Sequence, residues 1–203
     1  MTQPNASRRR LMLAGAAGLV GGTALVGCSP ASRKFHATDI SGSDIGRNWT
    51  LPDTAGTDRT AQDFQGKVTA LFFGFIQCPD VCPTTLAELT QVRAKLGEDA
   101  DRFQVLFVTV DPDRDTPEIV RTYVEQFDKS FVGLRGNPEQ LAAAARAFKV
   151  FYAKVPTSDG QSYTMDHSAG LYLFAPDATV QLYARYGQPV DELVSDVRGL
   201  LSA

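Results

Sequence analysis

The order of its apolar segments is the feature that most constrains the fold of this chain. Residues 68–75, VTALFFGF, are almost continuously apolar, which is typical of a strand buried on both faces of a sheet. In the amphipathic segment that follows, Pro83 suits the first helical position and Gly97 suits the position just after a helix. Residues 103–110, FQVLFVTV, indicate a second buried strand. Strands that alternate with helices predict an α/β layered domain.

The later segments extend the same alternation. Thr116 and Asn137 each precede a proline and an apolar stripe, which predicts two capped helices. Residues 169–187 predict two antiparallel strands joined by a turn, and residues 189–201 predict a closing amphipathic helix. The predicted order is therefore β-α-β-α-(α)-β-β-α, with an extra N-terminal extended segment before Val68.

The first residues are typical of an export signal. The basic stretch SRRRLM (residues 7–12) resembles a twin-arginine signal, and LVGC (residues 25–28) resembles a bacterial lipobox in which Cys28 becomes the lipidated first residue. Residues 1–27 are therefore predicted to be an export signal of the twin-arginine or lipoprotein type. An uncleaved N-terminal membrane anchor is the alternative, although the apolar stretch is slightly short for a span. Both interpretations place the rest of the chain on the extracytoplasmic (periplasmic) face of a bacterial membrane.

The exported part is predicted to consist of a tether and one domain. Residues 28–44 are polar, contain Ser, Pro and Gly, and lack an apolar period, which is typical of a flexible tether. Residues 45–203 are predicted to form a single domain. The formal net charge is −3 and the basic residues are scattered, so a nucleic-acid partner is not expected.

Two cysteines lie between the first buried strand and its helix. The chain has 3 cysteines, and lipidation of Cys28 would leave one pair, Cys78 and Cys82. A disulfide across such a short loop would add little stability, because entropic stabilisation by a disulfide grows with loop length. Near a helix N-terminus both sulfurs are suited to thiolate chemistry, as nucleophiles or as soft metal ligands. Their position, with the late hairpin and final helix, predicts a thioredoxin-like fold with a central mixed sheet flanked by helices.

The chain has 2 histidines, and only one is a candidate ligand. His36 falls in the predicted tether, where no function is expected. His167 immediately precedes a core strand, and in a thioredoxin-like fold the residues entering this strand face the cysteine loop. Two thiolates and an imidazole suit Cu(I), which accepts low coordination, whereas zinc would need a fourth ligand such as Asp80 or Asp166.

Neighbours of His167 have alternative interpretations. Met165 is either a soft auxiliary ligand or a packed side chain. Asp166 either orients the imidazole or is a plain surface carboxylate.

The charged loop VDPDRDTPE (residues 110–118) is interpreted as a solvated loop with helix-capping carboxylates, and a docking patch is the alternative.

The chain resembles the Sco/SenC family of copper-binding thioredoxin-fold proteins. The resemblance depends on FFGFIQCPDVCPTTL, FVTVDPDRDTPEIVRTYVEQF, FVGLRGNPEQLAAAARAFKVFYAK and SYTMDHSAGLYLFAPDATV. It implies copper, as Cu(I) or Cu(II), bound by Cys78, Cys82 and His167. It also implies a membrane-tethered factor that helps assemble the dinuclear copper centre of cytochrome c oxidase, with the copper-bearing oxidase subunit as partner.

Three functions remain open at the level of sequence. The first is a copper chaperone, which is not an enzyme in the usual sense. The second is a dedicated thiol-disulfide reductase of the oxidase cysteines, in which Cys78 and Cys82 are a redox-active pair and Cys78 is the nucleophile. The third is a thiol peroxidase, a scheme that leaves Cys82 and His167 without an obvious role.

Overall fold

The computed structural model describes residues 34–202. The predicted export segment and the predicted lipidation site at Cys28 lie outside this range. Within residues 34–202, no helix is both long enough and apolar enough to cross a membrane.

The described part of the chain contains ten strands, four α-helices and two short 3-10 helices, Ala61–Phe64 and Gly97–Arg102. The strands are β1 Thr38–Asp39, β2 Leu51–Pro52, β3 Asp58–Arg59, β4 Val68–Gly74, β5 Phe103–Thr109, β6 Val132–Leu134, β7 Tyr152–Pro156, β8 Tyr163–His167, β9 Leu171–Phe174 and β10 Val180–Ala184. The helices are α1 Val81–Leu96, α2 Pro117–Glu125, α3 Pro138–Phe148 and α4 Val190–Leu201.

The central sheet has six strands in the order β1-β10-β9-β4-β5-β6. Strands β4, β5 and β6 run parallel, whereas β9, β10 and β1 add antiparallel pairs. Every residue of β4 and β5 is buried, as their continuous apolar runs predict. The predicted central mixed sheet with flanking helices is confirmed. The two parallel core strands end at the same edge of the sheet, where Gly74 pairs with Thr109.

Capping explains where the helices begin. The Thr116 side chain accepts a hydrogen bond from the Ile119 amide at the start of α2, and Asn137 and Gln140 form a reciprocal capping box at the start of α3. Each helix has a proline in its first turn, as predicted. Helix α1 begins at Val81, two residues before the predicted start at Pro83, so that Cys82 lies in its first turn.

The structure corrects the predicted tether at its C-terminal end. Residues 38 and 39 form β1, which extends the central sheet by pairing with β10. Just before this strand, the backbone amides of His36 and Ala37 donate to the buried Asp196 carboxylate of α4, both at 2.8 Å. This segment belongs to the folded domain. The sequence pattern missed it because a two-residue edge strand has no apolar period, and the residues that hold this segment lie far along the chain in β10 and α4.

Candidate metal centre

Three separate elements bring the predicted ligands together. Cys78 lies in the loop between β4 and α1, Cys82 lies in the first turn of α1, and His167 is the last residue of β8. Their sulfur and nitrogen atoms all lie within 4.8 Å of one another. Within residues 34–202, this is the group of cysteine, histidine and acidic side chains whose spacing suits a metal ion.

A tight loop places Cys78 over the helix N-terminus. The Cys78 amide donates to the Phe75 carbonyl at 3.3 Å, which turns the chain directly after β4. The Cys82 amide then donates to Cys78 Sγ at 3.3 Å. An amide of the first helical turn is one of the donors that a helix leaves unsatisfied, and the positive end of the helix dipole stabilises negative charge there. The loop therefore places the Cys78 sulfur at the helix N-terminus, with a backbone amide donating to it.

The second sulfur has a different environment. Cys82 is fully buried, whereas Cys78 is partly exposed, and both are free thiols. Burial raises the pKa of the Cys82 thiol, and the adjacent Cys78 sulfur raises it further. Cys82 is therefore neutral in the metal-free protein. A metal that binds this sulfur must displace its proton.

The imidazole is oriented by a backbone carbonyl. Nδ1 of His167 lies 2.9 Å from the Ser168 carbonyl oxygen. Because a carbonyl oxygen can only accept, Nδ1 carries a proton and donates a hydrogen bond to that oxygen. Nε2 faces Cys82 Sγ at 3.8 Å, where the neutral thiol can donate to it. The rings of Phe75 and Phe72 contact the imidazole in edge-on arrangements at centroid distances of 5.8 and 6.3 Å. These contacts give His167 one orientation, with Nε2 facing the sulfurs.

The neighbours of His167 differ in burial. Met165 is buried in the hydrophobic core and also borders the cleft that Cys78 and His167 line. Asp166 is exposed, and the contact that fixes the His167 ring is made by the Ser168 carbonyl instead. Asp80 is also exposed, and its carboxylate accepts a hydrogen bond from the Thr84 hydroxyl. The arrangement of ligand atoms is therefore a three-coordinate set of two sulfurs and one nitrogen, which suits Cu(I).

The ligands face an open cleft. A cavity of about 220 Å³ is lined by Cys78 and His167 together with Phe75, Pro79, Asp80 and Asp166 among others. Cys82 does not line this cavity and lies behind the two other ligands. A metal ion or an acceptor group can therefore reach the site from the side of Cys78 and His167.

Comparison with known proteins identifies the family. Residues 37–202 match the family model described as SCO1/SenC. The chain belongs to the SCO1/SenC family. Among the curated SCO1/SenC relatives, the mitochondrial SCO2 homolog of Mus musculus is 36% identical over 158 residues, which cover 77% of this chain and 62% of that protein. The chain spans about three fifths of the length of such relatives.

Solved SCO1/SenC structures share the fold. ScoI from Arabidopsis thaliana, solved with copper bound, has 34% identity and a TM-score of 0.72, covering 78% of this chain and 98% of that one. ScoI from Bradyrhizobium japonicum, also solved with copper bound, has 38% identity and a TM-score of 0.69, covering 77% and 99%. Apo Sco1 from Thermus thermophilus has 36% identity and a TM-score of 0.73, covering 84% and 99%.

Sequence reasoning misread the charged loop of this SCO1/SenC protein. Asp111 and Asp115 were expected in a solvated loop, yet their exposed fractions are 1% and 2%. Asp115 accepts a hydrogen bond from the Ile76 amide at 3.2 Å, two residues before Cys78. The high charge of the loop was visible in the sequence, but the buried partners of these carboxylates come from distant segments.

Proposed function

We propose that this SCO1/SenC chain binds copper through Cys78, Cys82 and His167 and delivers it to the dinuclear copper centre of cytochrome c oxidase. The observation that carries the proposal is the grouping of two sulfurs and one imidazole nitrogen within 4.8 Å. Thiolate and imidazole are good copper ligands, and Cu(I) accepts three-coordination. The copper-bound ScoI relatives support the same cargo.

The asymmetric burial of the ligands supports a transfer role. Cys82 is fully buried, whereas Cys78 and His167 are partly exposed and line the cleft. An incoming thiolate or imidazole of an acceptor can therefore replace the exposed ligands one at a time while Cys82 still holds the ion. Loading displaces the Cys82 proton, and release allows Cys82 to take up a proton again.

The proposed location is the extracytoplasmic side of a bacterial membrane. The basic start and apolar stretch of residues 1–27, followed by Cys28, support export and anchoring by lipid or by an uncleaved segment. The proposed partner on that side is the copper-bearing subunit of the oxidase. Mass spectrometry of the membrane-extracted protein would distinguish a lipidated Cys28 from an intact N-terminus.

Copper titration with a matched histidine control tests the ligand set. Reduced wild-type protein, His167→Ala and His36→Ala are titrated with Cu(I) against a competing chromophoric chelator. We expect His167→Ala to weaken binding strongly and His36→Ala to leave it unchanged, because the His36 ring faces Glu192 rather than the site. Equal affinities of all three proteins would refute the assigned ligands.

Transfer is tested with an apo-oxidase fragment that contains the dinuclear copper site. Copper-loaded wild-type protein should form the absorption of that centre in the fragment, whereas Cys78→Ser should not. Tight copper binding without any transfer to the fragment would refute delivery while leaving copper binding intact.

A second function is supported by the geometry of the two thiols. The Cys82 amide donates to Cys78 Sγ, and Cys78 is the more accessible sulfur. In a reductase cycle, Cys78 thiolate attacks a target disulfide, and Cys82 then attacks the mixed disulfide. Two target thiols leave, and a Cys78–Cys82 disulfide remains, which an external dithiol must reduce. Rapid turnover with disulfide substrates in His167→Ala would favour this function over the copper chaperone.

A further inference from the structure

One charged loop contacts both halves of the metal centre. This loop, residues 110–116, connects the end of β5 to the start of α2. On one side it holds the segment that carries Cys78, and on the other side it holds the strand that carries His167. The two contacts are made by neighbouring residues, Asp115 and Arg114.

Asp115 holds the cysteine segment. Its Oδ2 accepts hydrogen bonds from the Ile76 amide at 3.2 Å and from the hydroxyl of Thr109, the last residue of β5. Asp115 is only 2% exposed, so these bonds are shielded from water and strong. Because Ile76 lies two residues before Cys78, the bond restrains the start of the metal-binding loop.

Arg114 holds the first residue of β8. It donates to the Tyr163 carbonyl at 2.8 Å, and its guanidinium carbon lies 3.8 Å from the centroid of the Tyr163 ring. The Arg114 guanidinium also pairs with Asp111, whose other carboxylate oxygen accepts the Tyr163 hydroxyl at 2.9 Å. Arg114, Asp111 and Tyr163 therefore form a closed triangle of contacts. A planar guanidinium can make such stacked and forked contacts at once.

Strand β8 connects this triangle to the site. Tyr163 is its first residue and His167 its last, and every residue of β8 pairs with β7, from Tyr163 with Pro156 to His167 with Tyr152. A paired strand is a stiff element with a defined rise per residue. Fixing Tyr163 against the loop therefore fixes where the imidazole at the other end lies relative to the sulfurs.

The loop itself is anchored from a third direction. The Arg135 side chain donates to the backbone carbonyls of Asp115 and Pro112, both at 2.8 Å. These bonds tie the loop to the chain that follows β6. The loop can therefore act as a rigid connector between the cysteine segment and β8.

We propose that Arg114 is a positioning residue for copper binding, which holds β8 and His167 at the correct distance from Cys78 and Cys82 before the metal arrives. This inference rests on the proposed copper-binding function. Arg114 does not touch the metal, and it acts through Tyr163 and His167.

A double-mutant cycle measures this action. Arg114→Met removes the guanidinium and keeps the length of the side chain. We expect Cu(I) affinity to fall about 10- to 100-fold, the range seen when groups that orient a metal ligand are lost. In a His167→Ala background, Arg114→Met should change the affinity by less than about twofold, because the ligand through which it acts is gone.

Arg93→Met is the matched control. Arg93 has nearly the same side-chain exposure as Arg114, 17% against 19%, and also pairs with carboxylates, those of Asp101 and Asp128. It lies towards the far end of α1 from Cys82. Arg93→Met should lower thermal stability and leave copper affinity unchanged, so a general loss of stability cannot imitate the predicted result.

Two milder variants keep the test valid if Arg114→Met does not fold. Arg114→Lys retains the charge but cannot contact Asp111 and the Tyr163 carbonyl as a fork, and Tyr163→Phe removes only the hydroxyl bond to Asp111. Both should weaken copper binding less than Arg114→Met. In the metal-free proteins, the NMR signals of the His167 ring should shift in each Arg114 variant and stay unchanged in Arg93→Met.

The outcomes separate this inference from the proposed function. If wild-type protein binds copper without any dependence on His167, the proposed function fails. If binding depends on His167 but the folded Arg114 variants bind as tightly as wild type, only the positioning role fails. An equal loss of affinity in the wild-type and His167→Ala backgrounds would also overturn it, because Arg114 would then act independently of the imidazole.

Discussion

Gly74 lies where the central sheet meets the metal centre, and replacing it with alanine is a direct test of the site geometry. A Cβ atom at this position would lie 2.7 Å from Cε2 of Phe107, 2.9 Å from Sγ of Cys82 and 3.0 Å from Cε1 of Phe72. The two rings also pack against each other, with centroids 6.0 Å apart. All three neighbours are buried, so the added methyl group has no free space.

The size of the effect follows from these distances. Reaching an ordinary contact of 3.4 Å requires the Cys82 sulfur to move by about 0.5 Å. Metal–ligand distances tolerate deviations of only about 0.2 Å, so the displaced sulfur no longer matches the position of His167. Overpacking of a buried site costs about 1–3 kcal/mol of folding free energy. We therefore expect Gly74→Ala to lower both the free energy of unfolding and the affinity for Cu(I).

Gly133→Ala separates the two effects. A Cβ at Gly133, in the terminal strand β6, would clash with Val120 and approach Thr54 at 3.1 Å. Urea unfolding of the reduced metal-free proteins should show destabilisation of both variants. Competitive Cu(I) titration should show weaker binding only for Gly74→Ala. If Gly74→Ala is destabilised but binds copper as tightly as Gly133→Ala, the reasoning about the Cys82 sulfur is wrong.

Two further predictions concern buried titratable groups. Because burial raises the pKa of Cys82 above its ordinary value of 9.0, the contribution of this neutral thiol to the stability of the metal-free protein should be complete below about pH 9. As the pH rises above about 9, this contribution should be lost at about 1.4 kcal/mol per pH unit. Chemical denaturation over this pH range should show a steeper loss of stability in the wild-type protein than in Cys82→Ala, and equal slopes would contradict the prediction. Asp196→Ala leaves the His36 and Ala37 amides without their acceptor, which costs about 1–3 kcal/mol. Hydrogen exchange should speed up at Ala37 and not in α1, and unchanged exchange at Ala37 would contradict this role.

The sequence predicted the core of the fold because its information there is local. The apolar runs of β4 and β5 and the capping residues Thr116 and Asn137 each identify an element within a few positions. The cysteine pair was placed correctly because it directly follows a buried strand. His167 was predicted to face the cysteine loop because it lies shortly before β9, and its Nε2 does lie near Cys82 Sγ. The sequence did not show that His167 also ends a separate hairpin of β7 and β8.

The parts that were missed depend on distant partners. Strand β1 is held by β10 and by Asp196, far along the chain. The burial of Asp111 and Asp115 depends on Tyr163 and Ile76, which come from distant segments, as well as on the neighbouring Thr109. Composition does not show whether water or other protein groups form the hydrogen bonds of a charged loop. Composition alone therefore favoured the solvated interpretation.

The three proposed ligands are enclosed to different degrees, and this difference supports the proposed transfer of copper. Cys82 is enclosed by the first turn of α1 and by the close approach of Gly74. The Cys78 sulfur accepts one hydrogen bond, from the Cys82 backbone amide. Cys78 and His167 both border the cleft. A permanent metal site gains from three equally enclosed ligands, because each exposed ligand invites exchange. One enclosed sulfur with two accessible ligands instead keeps the ion bound while an acceptor takes over its coordination, and enclosing Cys78 should slow transfer more than it strengthens binding.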